Sequence, residues 1–458
     1  MTGSAPHSVN SETIYALASG AGRSGVAVIR VSGPGAGAAL YALLGQGLPQ
    51  PRMAALKRLR HPDSGETLDD ALVLWFPGPA SFTGEDVAEL HVHGGPAVVD
   101  GVLAALSGLD GLRLAEPGEF TRRAFENAKL DLTQVEGLAD LIEAETEAQR
   151  KQALRQSEGE LGRLYDGWRH SLVQALAHFE AELDFSDEEL PEDLHLAVVK
   201  GVRALLESVR AHLSDGRQGE RLRDGVRLAI IGPPNAGKSS LMNALAQRDA
   251  AIVSDIAGTT RDVVEVHLNL TGYPLLVADT AGLRETGDEI EQEGVRRARS
   301  WAETADIKLA VFDGEALPDL DLTTRKMLEK DTVVAMNKSD AQAADFPRTI
   351  DGHDVWPLSV KSGAGLDSLL GRLGEMVADR CRRGTEGPAP TRARHREALK
   401  RTAAALERFL ARDNPQHLGT ELEAEDLRLA ARELGRITGR VDVEDLLDVI
   451  FHDFCIGK

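Results

Sequence analysis

A chain of 458 residues has room for about three domains, each able to bury its own core. Hydrophobic residues at 42% and charged residues at 27% are ordinary for a soluble globular protein, and no run of about 18 apolar residues is present to cross a bilayer. A net charge of −21 argues against indiscriminate nucleic-acid binding, while two cysteines, Cys381 and Cys455, exclude a disulfide framework and suit a reducing cytoplasm.

The start, Met1 to His7, lacks the basic and apolar regions of a signal peptide. Up to about residue 120, short apolar runs at Gly25–Val31, Leu72–Phe76 and Val87–Val92 alternate with turns and helical stretches, an α+β pattern. His91 and His93 alternate along the third run; with no third ligand in the sequence they read as structural or substrate-contacting rather than metal-binding. From Thr133 the pattern turns to long Ala/Leu/Glu-rich helices through His178 to Phe185. An acidic connection follows at Asp184–Asp193, then helix again from Leu194 to Leu213. Three basic stretches, Arg122–Arg123, Arg217–Arg223 and Arg392–Lys400, are local surfaces that could hold RNA, and as ordinary sequence they read as solvated helix faces.

Val226–Ile231 reads as a short buried strand, and Ser239–Leu245 as the helix after it. Between them Gly232-Pro-Pro-Asn-Ala-Gly-Lys-Ser239 aims successive backbone N–H groups at one spot, at the positive end of the helix dipole. Lys238 reaches the β- and γ-phosphates, and the Ser239 hydroxyl is placed for magnesium. In Gly258-Thr-Thr-Arg-Asp262, Thr260 is the second magnesium ligand. Leu275–Ala278 is a strand with Asp279 at its carboxyl end, where open α/β sheets bind ligands; Asp279 holds magnesium through water and the Gly282 N–H senses the γ-phosphate. Val333–Met336 leads to Asn337-Lys-Ser-Asp340, whose Asp340 carboxylate accepts two hydrogens from guanine. Ser359-Val-Lys361 closes over the base.

The GTP-binding set is therefore Asn235, Ala236, Gly237, Lys238, Ser239 and Ser240; Ser254, Asp255, Ile256, Ala257, Gly258, Thr259 and Thr260; Asp279, Thr280, Ala281 and Gly282; Asn337, Lys338, Ser339 and Asp340; and Ser359, Val360 and Lys361. Leu283 follows Asp279-Thr-Ala-Gly282 where many GTPases carry a water-orienting Gln, so the carboxylate-rich stretch Arg284–Glu291 is the place to look for a replacement; as plain sequence it is a solvated acidic loop. Asn235 with oxygens from Ser254 to Thr259 makes a pocket for a monovalent cation, or an ordinary polar loop. Gly384–Pro390 is a linker by composition, and helix resumes at Arg394–Arg412, Glu421–Leu434 and Val443–Phe451. The whole reads as a multidomain α/β chain: an N-terminal α+β domain over 1–124, an all-α domain in two parts over 125–222 and 381–458, and between them an inserted P-loop GTPase domain, a doubly wound, mostly parallel sheet, over 223–380.

The flanks carry further motifs: Gly22–Gly33, Ser81–Glu89, Pro117–Phe125, Lys129–Leu132 and the terminal Phe454-Cys-Ile-Gly-Lys458. With the central four, they resemble the MnmE (TrmE) family of tRNA modification GTPases over the whole chain. The resemblance implies a folate-binding, dimerising N-terminal domain, and a homodimer that joins the FAD-dependent MnmG (GidA) in a heterotetramer. FAD belongs to that partner only. Together they place a carboxymethylaminomethyl group on the wobble uridine of certain tRNAs, the one-carbon unit coming from 5-formyltetrahydrofolate or a related folate. It further implies folate contacts at Arg30, Glu89, Lys129 and Lys458, potassium at Asn235, Ser254, Ile256 and Thr259, magnesium at Ser239, Thr260 and Asp279, and a water-positioning Glu291. Cys455 has three readings: a small buried hydrophobe, the start of a prenylation box that Gly457 and Lys458 fit poorly, or a thiol near the folate site that joins Lys238 and Glu291 as a catalytic group. Two other functions fit the centre of the chain: an RNA-binding GTPase of ribosome assembly, disfavoured by the acidic helical C-terminus, and a membrane-remodelling GTPase, for which no lipid-binding segment exists.

Overall fold

The computed structural model describes residues 12–184, 193–248, 250–252, 265–279, 304–341, 346–382, 387–412 and 421–441, with single positions 447, 450, 451, 454, 456 and 457. The chain divides into two compact units, Met1–Ala139 with Gly435–Lys458, and Asp140–Leu434.

The first unit is built on strands β1 (Thr13–Leu17), β2 (Ser24–Ser32), β3 (Ala55–Arg60), β4 (Thr67–Phe76), β5 (Val87–Gly94) and β6 (Leu112–Leu114), in the order β3-β4-β5-β2-β1-β6. All neighbours are antiparallel except β1 and β6. Period-two alternation decides which face is buried. Ala27, Ile29 and Val31 of β2 and Ala88, Leu90 and Val92 of β5 join one core with helices α1 (Ala36–Leu44) and α2 (Pro96–Ser107). The intervening residues Arg30, Glu89 and His91 therefore share the opposite face. Helix α3 (Glu119–Glu126) sets Phe120 among Ile14, Ala16 and Ala115. Helix α4 (Leu132–Glu143) supplies Leu132 and Val135 to a cluster with Leu447, Phe451 and Phe454, so the last residues of the chain are part of this unit. Ile456 bridges Pro117, and Gly457, at φ 96°, lies so close to the Leu17 carbonyl that a side chain there has no room.

The second unit begins with helices. The helical pattern of the sequence does not run on unbroken after Thr133: α5 (Glu147–Ser157) starts at a capping box, in which Thr146 and Gln149 satisfy each other's backbone N–H groups, and Gly159, at φ 83°, separates it from α6 (Glu160–Asp184). Helix α7 (Asp193–Leu213) follows, then the short α8 (Gln218–Asp224). The eight-stranded sheet has the order β13-β14-β12-β11-β7-β10-β9-β8, from β7 (Val226–Ile231), β8 (Ala251–Ile252), β9 (Glu265–Leu270), β10 (Tyr273–Asp279), β11 (Ile307–Asp313), β12 (Thr332–Asn337), β13 (Thr349–Ile350) and β14 (His353–Pro357). Strands β7, β10, β11, β12 and β14 run parallel; β9 and β13 run against them, and β8 pairs antiparallel with β9 at the edge. Burial on both faces follows from strict alternation: Leu309 and Val311 face helices α9 (Lys238–Ala246) and α11 (Leu366–Arg382), while Ala310 and Phe312 enter a second cluster with Val334 and Met336. A short 3-10 helix (Gly314–Ala316), helix α10 (Leu322–Lys326) and the late helices α12 (Ala393–Arg412) and α13 (Glu421–Thr438) complete the described elements.

Arginines tie the sheet to these helices. Arg223 and Arg392, on either side of the sheet in sequence, both bond Asp140, at 2.9 and 2.7 Å. Arg396 bonds Asp215 and Glu220 at 2.8 and 2.7 Å, and Arg221 bonds Asp306 at 2.7 Å. In the first unit Arg122 pairs with Glu126, and the fully buried Arg123 with Glu119 and Glu85. The basic stretches of the sequence are thus largely paired with carboxylates of the same chain, some buried and some at the surface.

Between α6, α7 and α12, the His212 ring packs edge-on to Tyr165 and Trp168 and shares a 3.1 Å hydrogen bond with the Tyr165 hydroxyl. Burial pushes its pKa down to about 4, with the neighbouring His395 and Arg396 acting in the same direction and Asp215 opposing. The unfolded chain takes up this proton near pH 6.5 and the folded one does not, so stability is whole above that pH and is lost as pH falls toward 4. Chemical denaturation at pH 7 and pH 5 should show the wild type losing about 2 kcal/mol more than His212→Gln over that interval.

Candidate functional site: a guanine-nucleotide cradle

The strand order reverses at β7, which has β10 on one side and β11 on the other, and the loop after β7 opens into this switch point. Two glycines shape the loop. Gly232, at φ 150°, has the Val311 carbonyl where a side chain would go, and Gly237, at φ 94°, has the Asn337 amide there. Asn235 itself holds a positive φ of 64°, uncommon for a residue with a side chain, and that side chain is exposed. Helix α9 begins at Lys238, so the N–H groups of its first turn face the loop. Lys238 is only 7% exposed, and its ammonium donates to the Gly232 and Pro233 carbonyls at 2.8 Å each. The lysine is folded onto the loop it would share with phosphate oxygens. Ser239 and Ser240 are exposed in the first turn of α9.

Asp279 ends β10 opposite Ile230 of β7, one residue from the end of that strand, which places its backbone beside the loop. Magnesium fits what is described: Ser239 stands next to the lysine at the mouth of the cradle. Thr260 and the Asp279 side chain lie outside the described groups, as do Ser254, Asp255, Ile256, Ala257, Gly258, Thr259, Thr280, Ala281, Gly282, Leu283 and Glu291.

The candidate base-reading end is assembled from two loops. Asn337, 4% exposed, donates from Nδ2 to the Ala236 carbonyl at 2.9 Å and accepts at Oδ1 from the Val360 N–H at 3.1 Å. Ser339 N–H donates to the Leu358 carbonyl at 3.0 Å. The buried Ser359 hydroxyl accepts from the Ser362 N–H at 3.1 Å, and its bond to Asp340 holds that carboxyl below the usual range, with Lys361 adding to the effect. Asp340 is therefore an exposed, ionised acceptor beside Ser359-Val-Lys361. The structure brings 235–240, 337–340 and 359–361 to one end of the sheet. Lys338, at φ 64°, reaches two carboxylates absent from the sequence reading, Asp313 at 2.6 Å and Glu315 at 3.0 Å. The Asp-Gly pair that ends the apolar run Ile307–Asp313 was the available signal for them.

In the first unit Arg30 and Glu89 are directly opposite on β2 and β5 and form a 3.0 Å ion pair, with the Arg30 guanidinium 5.4 Å from the Phe82 ring centroid and 5.6 Å from that of Phe120. His91 stands 3.5 Å from Glu89, and His93 bonds Asp69 at 2.8 Å. Lys129 donates to the Pro79 carbonyl at 3.1 Å. Lys458 and Cys455 lie outside the described residues. Among the described residues no cluster of His, Cys, Asp and Glu able to hold a metal ion is found.

An acceptor at Asp340 would select a base with two adjacent donors, and an amide there would reverse one of them. Asp340→Asn should lose GTP affinity and gain affinity for XTP, as competition binding with the two nucleotides will register.

Residues 132–455 match the MnmE helical domain family, and residues 13–129 the family described as GTP-binding protein TrmE N-terminus. The tRNA modification GTPase MnmE of Paramagnetospirillum magneticum is 58% identical over 98% of this chain and 100% of its own length. The mitochondrial 5-taurinomethyluridine-[tRNA] synthase subunit GTPB3 of Danio rerio is 51% identical over 98% of this chain and 93% of its own. Among solved structures, a point variant of Aquifex aeolicus Era bound to GDP.AlF4- is 25% identical, covering 41% of this chain and 68% of that one at a TM-score of 0.27, too low to bear on the arrangement here.

Proposed function

This chain belongs to the MnmE (TrmE) family of tRNA modification GTPases, and from that premise we propose that it is the GTP-hydrolysing component of the assembly that adds a carboxymethylaminomethyl group to the wobble uridine of certain tRNAs. That it is a GTPase follows from the family. What supports the finer reading is a phosphate loop and a guanine-reading loop tied together within one chain that is similar to tRNA-modifying relatives along nearly all of its length.

Lys238, whose ammonium donates to two loop carbonyls, would turn to the β- and γ-phosphate oxygens, making bonds in which donor and acceptor are both ionised. The N–H groups at the start of α9 receive the remaining phosphate charge. Magnesium, held by Ser239, Thr260 and Asp279, would neutralise charge on the phosphates. With Leu283 unable to orient water, Glu291 takes that role by family resemblance. Potassium is proposed at Asn235, Ser254, Ile256 and Thr259, and the exposed Asn235 side chain in the loop supports it.

Folate is proposed at Arg30, Glu89, Lys129 and Lys458, with Cys455 nearby as a candidate reactive thiol. The cation and carboxylate of the Arg30–Glu89 pair suit a glutamate tail and a pterin respectively, and the pairing means that folate would have to compete for both. The working form is proposed as a cytoplasmic homodimer joined to the flavin-carrying MnmG, with tRNA as substrate. No helix among the described residues is long and apolar enough to cross a membrane. The four-segment division, 1–124, 125–222, 223–380 and 381–458, remains part of this proposal.

Mass spectrometry of nucleosides from total tRNA tests the reading. The carboxymethylaminomethyl uridine should vanish without the gene and return with the wild-type chain, not with Asp279→Ala; an unchanged profile would favour the ribosome-assembly alternative. Separately, GTP hydrolysis by the full chain should be faster in potassium than in sodium at equal ionic strength. Asn235→Ala should erase that difference.

A further inference from the structure

We propose that Asp313 and Glu315 clamp the ammonium of Lys338 so that the stem of this lysine forms a fixed wall of the guanosine site. This deepens, and rests on, the GTP-site reading above. The geometry starts from strand order. Strand β11 lies between β7, which ends at the phosphate loop, and β12, which ends at the guanine-reading loop. A nucleotide with its phosphates at Lys238 and its base at Asp340 must cross the carboxyl end of β11. The Lys338 side chain covers the β12-to-β11 part of that path, rooted after β12 and anchored on the residues that end β11.

Both ends of that span are fixed. At the root, Asn337 is held by Ala236 and Val360, Ser339 by Leu358, and Lys338 itself sits at φ 64°. At the tip, Asp313 is 20% exposed, and its second oxygen accepts from the Glu315 N–H at 3.0 Å, so the two carboxylates are presented together. Gly314 between them has the Asn337 carbonyl 2.8 Å and the Phe346 ring 2.9 Å from where a side chain would begin. Only glycine lets the end of β11 come this close to the lysine's root. The carboxylates also hold the lysine's pKa above its ordinary value. A free lysine would lose stem entropy on each binding event; a clamped one has already lost it.

Asp313 is a positioning residue, and the test must separate action through Lys338 from support of its own turn. Asp313→Asn keeps the side-chain carbonyl that accepts from Glu315 and removes the charge; Lys338→Met keeps an apolar stem and removes the ammonium. Release of methylanthraniloyl-GDP from the full-length chain is measured by stopped flow in the wild type, both single variants and the double variant. Release should quicken about fivefold in Asp313→Asn, a modest factor because the pair is partly exposed. In the Lys338→Met background the same substitution should change it by less than about twofold. Equal acceleration in both backgrounds, or none in either, would overturn the clamp. A wild-type chain that binds no guanine nucleotide would instead sink the GTP-site reading and the clamp with it.

Discussion

One carboxamide holds the nucleotide site together. Asn337 bonds the carbonyl of Ala236 in the phosphate loop with one end and the N–H of Val360 in the base-side loop with the other. It also fills the space where a side chain on Gly237 would be, which is why that residue is glycine and why the helix after it can start where it does. A buried polar group left without its partner costs roughly 1–3 kcal/mol, so neither loop can drift without exposing that cost at the other. The candidate phosphate cradle and guanine reader are accordingly tied to each other on the ends of parallel strands.

Much of that object was legible in the sequence because local rules govern it. The glycine spacing, the strand before it and the lysine-serine after it leave few backbone solutions, and the buried strands announce themselves as unbroken apolar runs. Less legible were features set by partners far away in sequence. That Arg30 stands opposite Glu89 depends on the register of β2 against β5, and register is a property of the folded sheet. The carboxylates on Lys338 come from 25 and 23 residues earlier. The helix breaks at Thr146 and Gly159 sit inside a composition that stays helical on both sides, and only the capping geometry reveals them.

The arginines show a different limit. Clusters of positive charge in an acidic chain invite a nucleic-acid reading, yet Arg223, Arg392 and Arg396 are engaged by Asp140, Asp215 and Glu220. Asp140 receives both Arg223, in α8 just before the nucleotide-binding sheet, and Arg392, just before α12, so one carboxylate joins the helical segments that flank the sheet in sequence. Charge counted along a sequence says little about charge presented to a partner when much of it is already paired with carboxylates of the same chain.

The first unit is closed by the last residues of the chain, with Ile456 bridging Pro117 and Gly457 seated against Leu17. On a ribosome this imposes a delay. After Ala139 leaves the exit tunnel, the whole of Asp140–Leu434 must be made before Gly435–Lys458 arrives to finish the first unit. At about 5–20 residues per second that is a wait of roughly 15–60 s, during which Phe125, Leu132 and Val135 lack their final cover. The domain begun first is completed last, so the nucleotide-binding sheet can mature in a nascent chain whose amino-terminal part still offers an apolar face to chaperones.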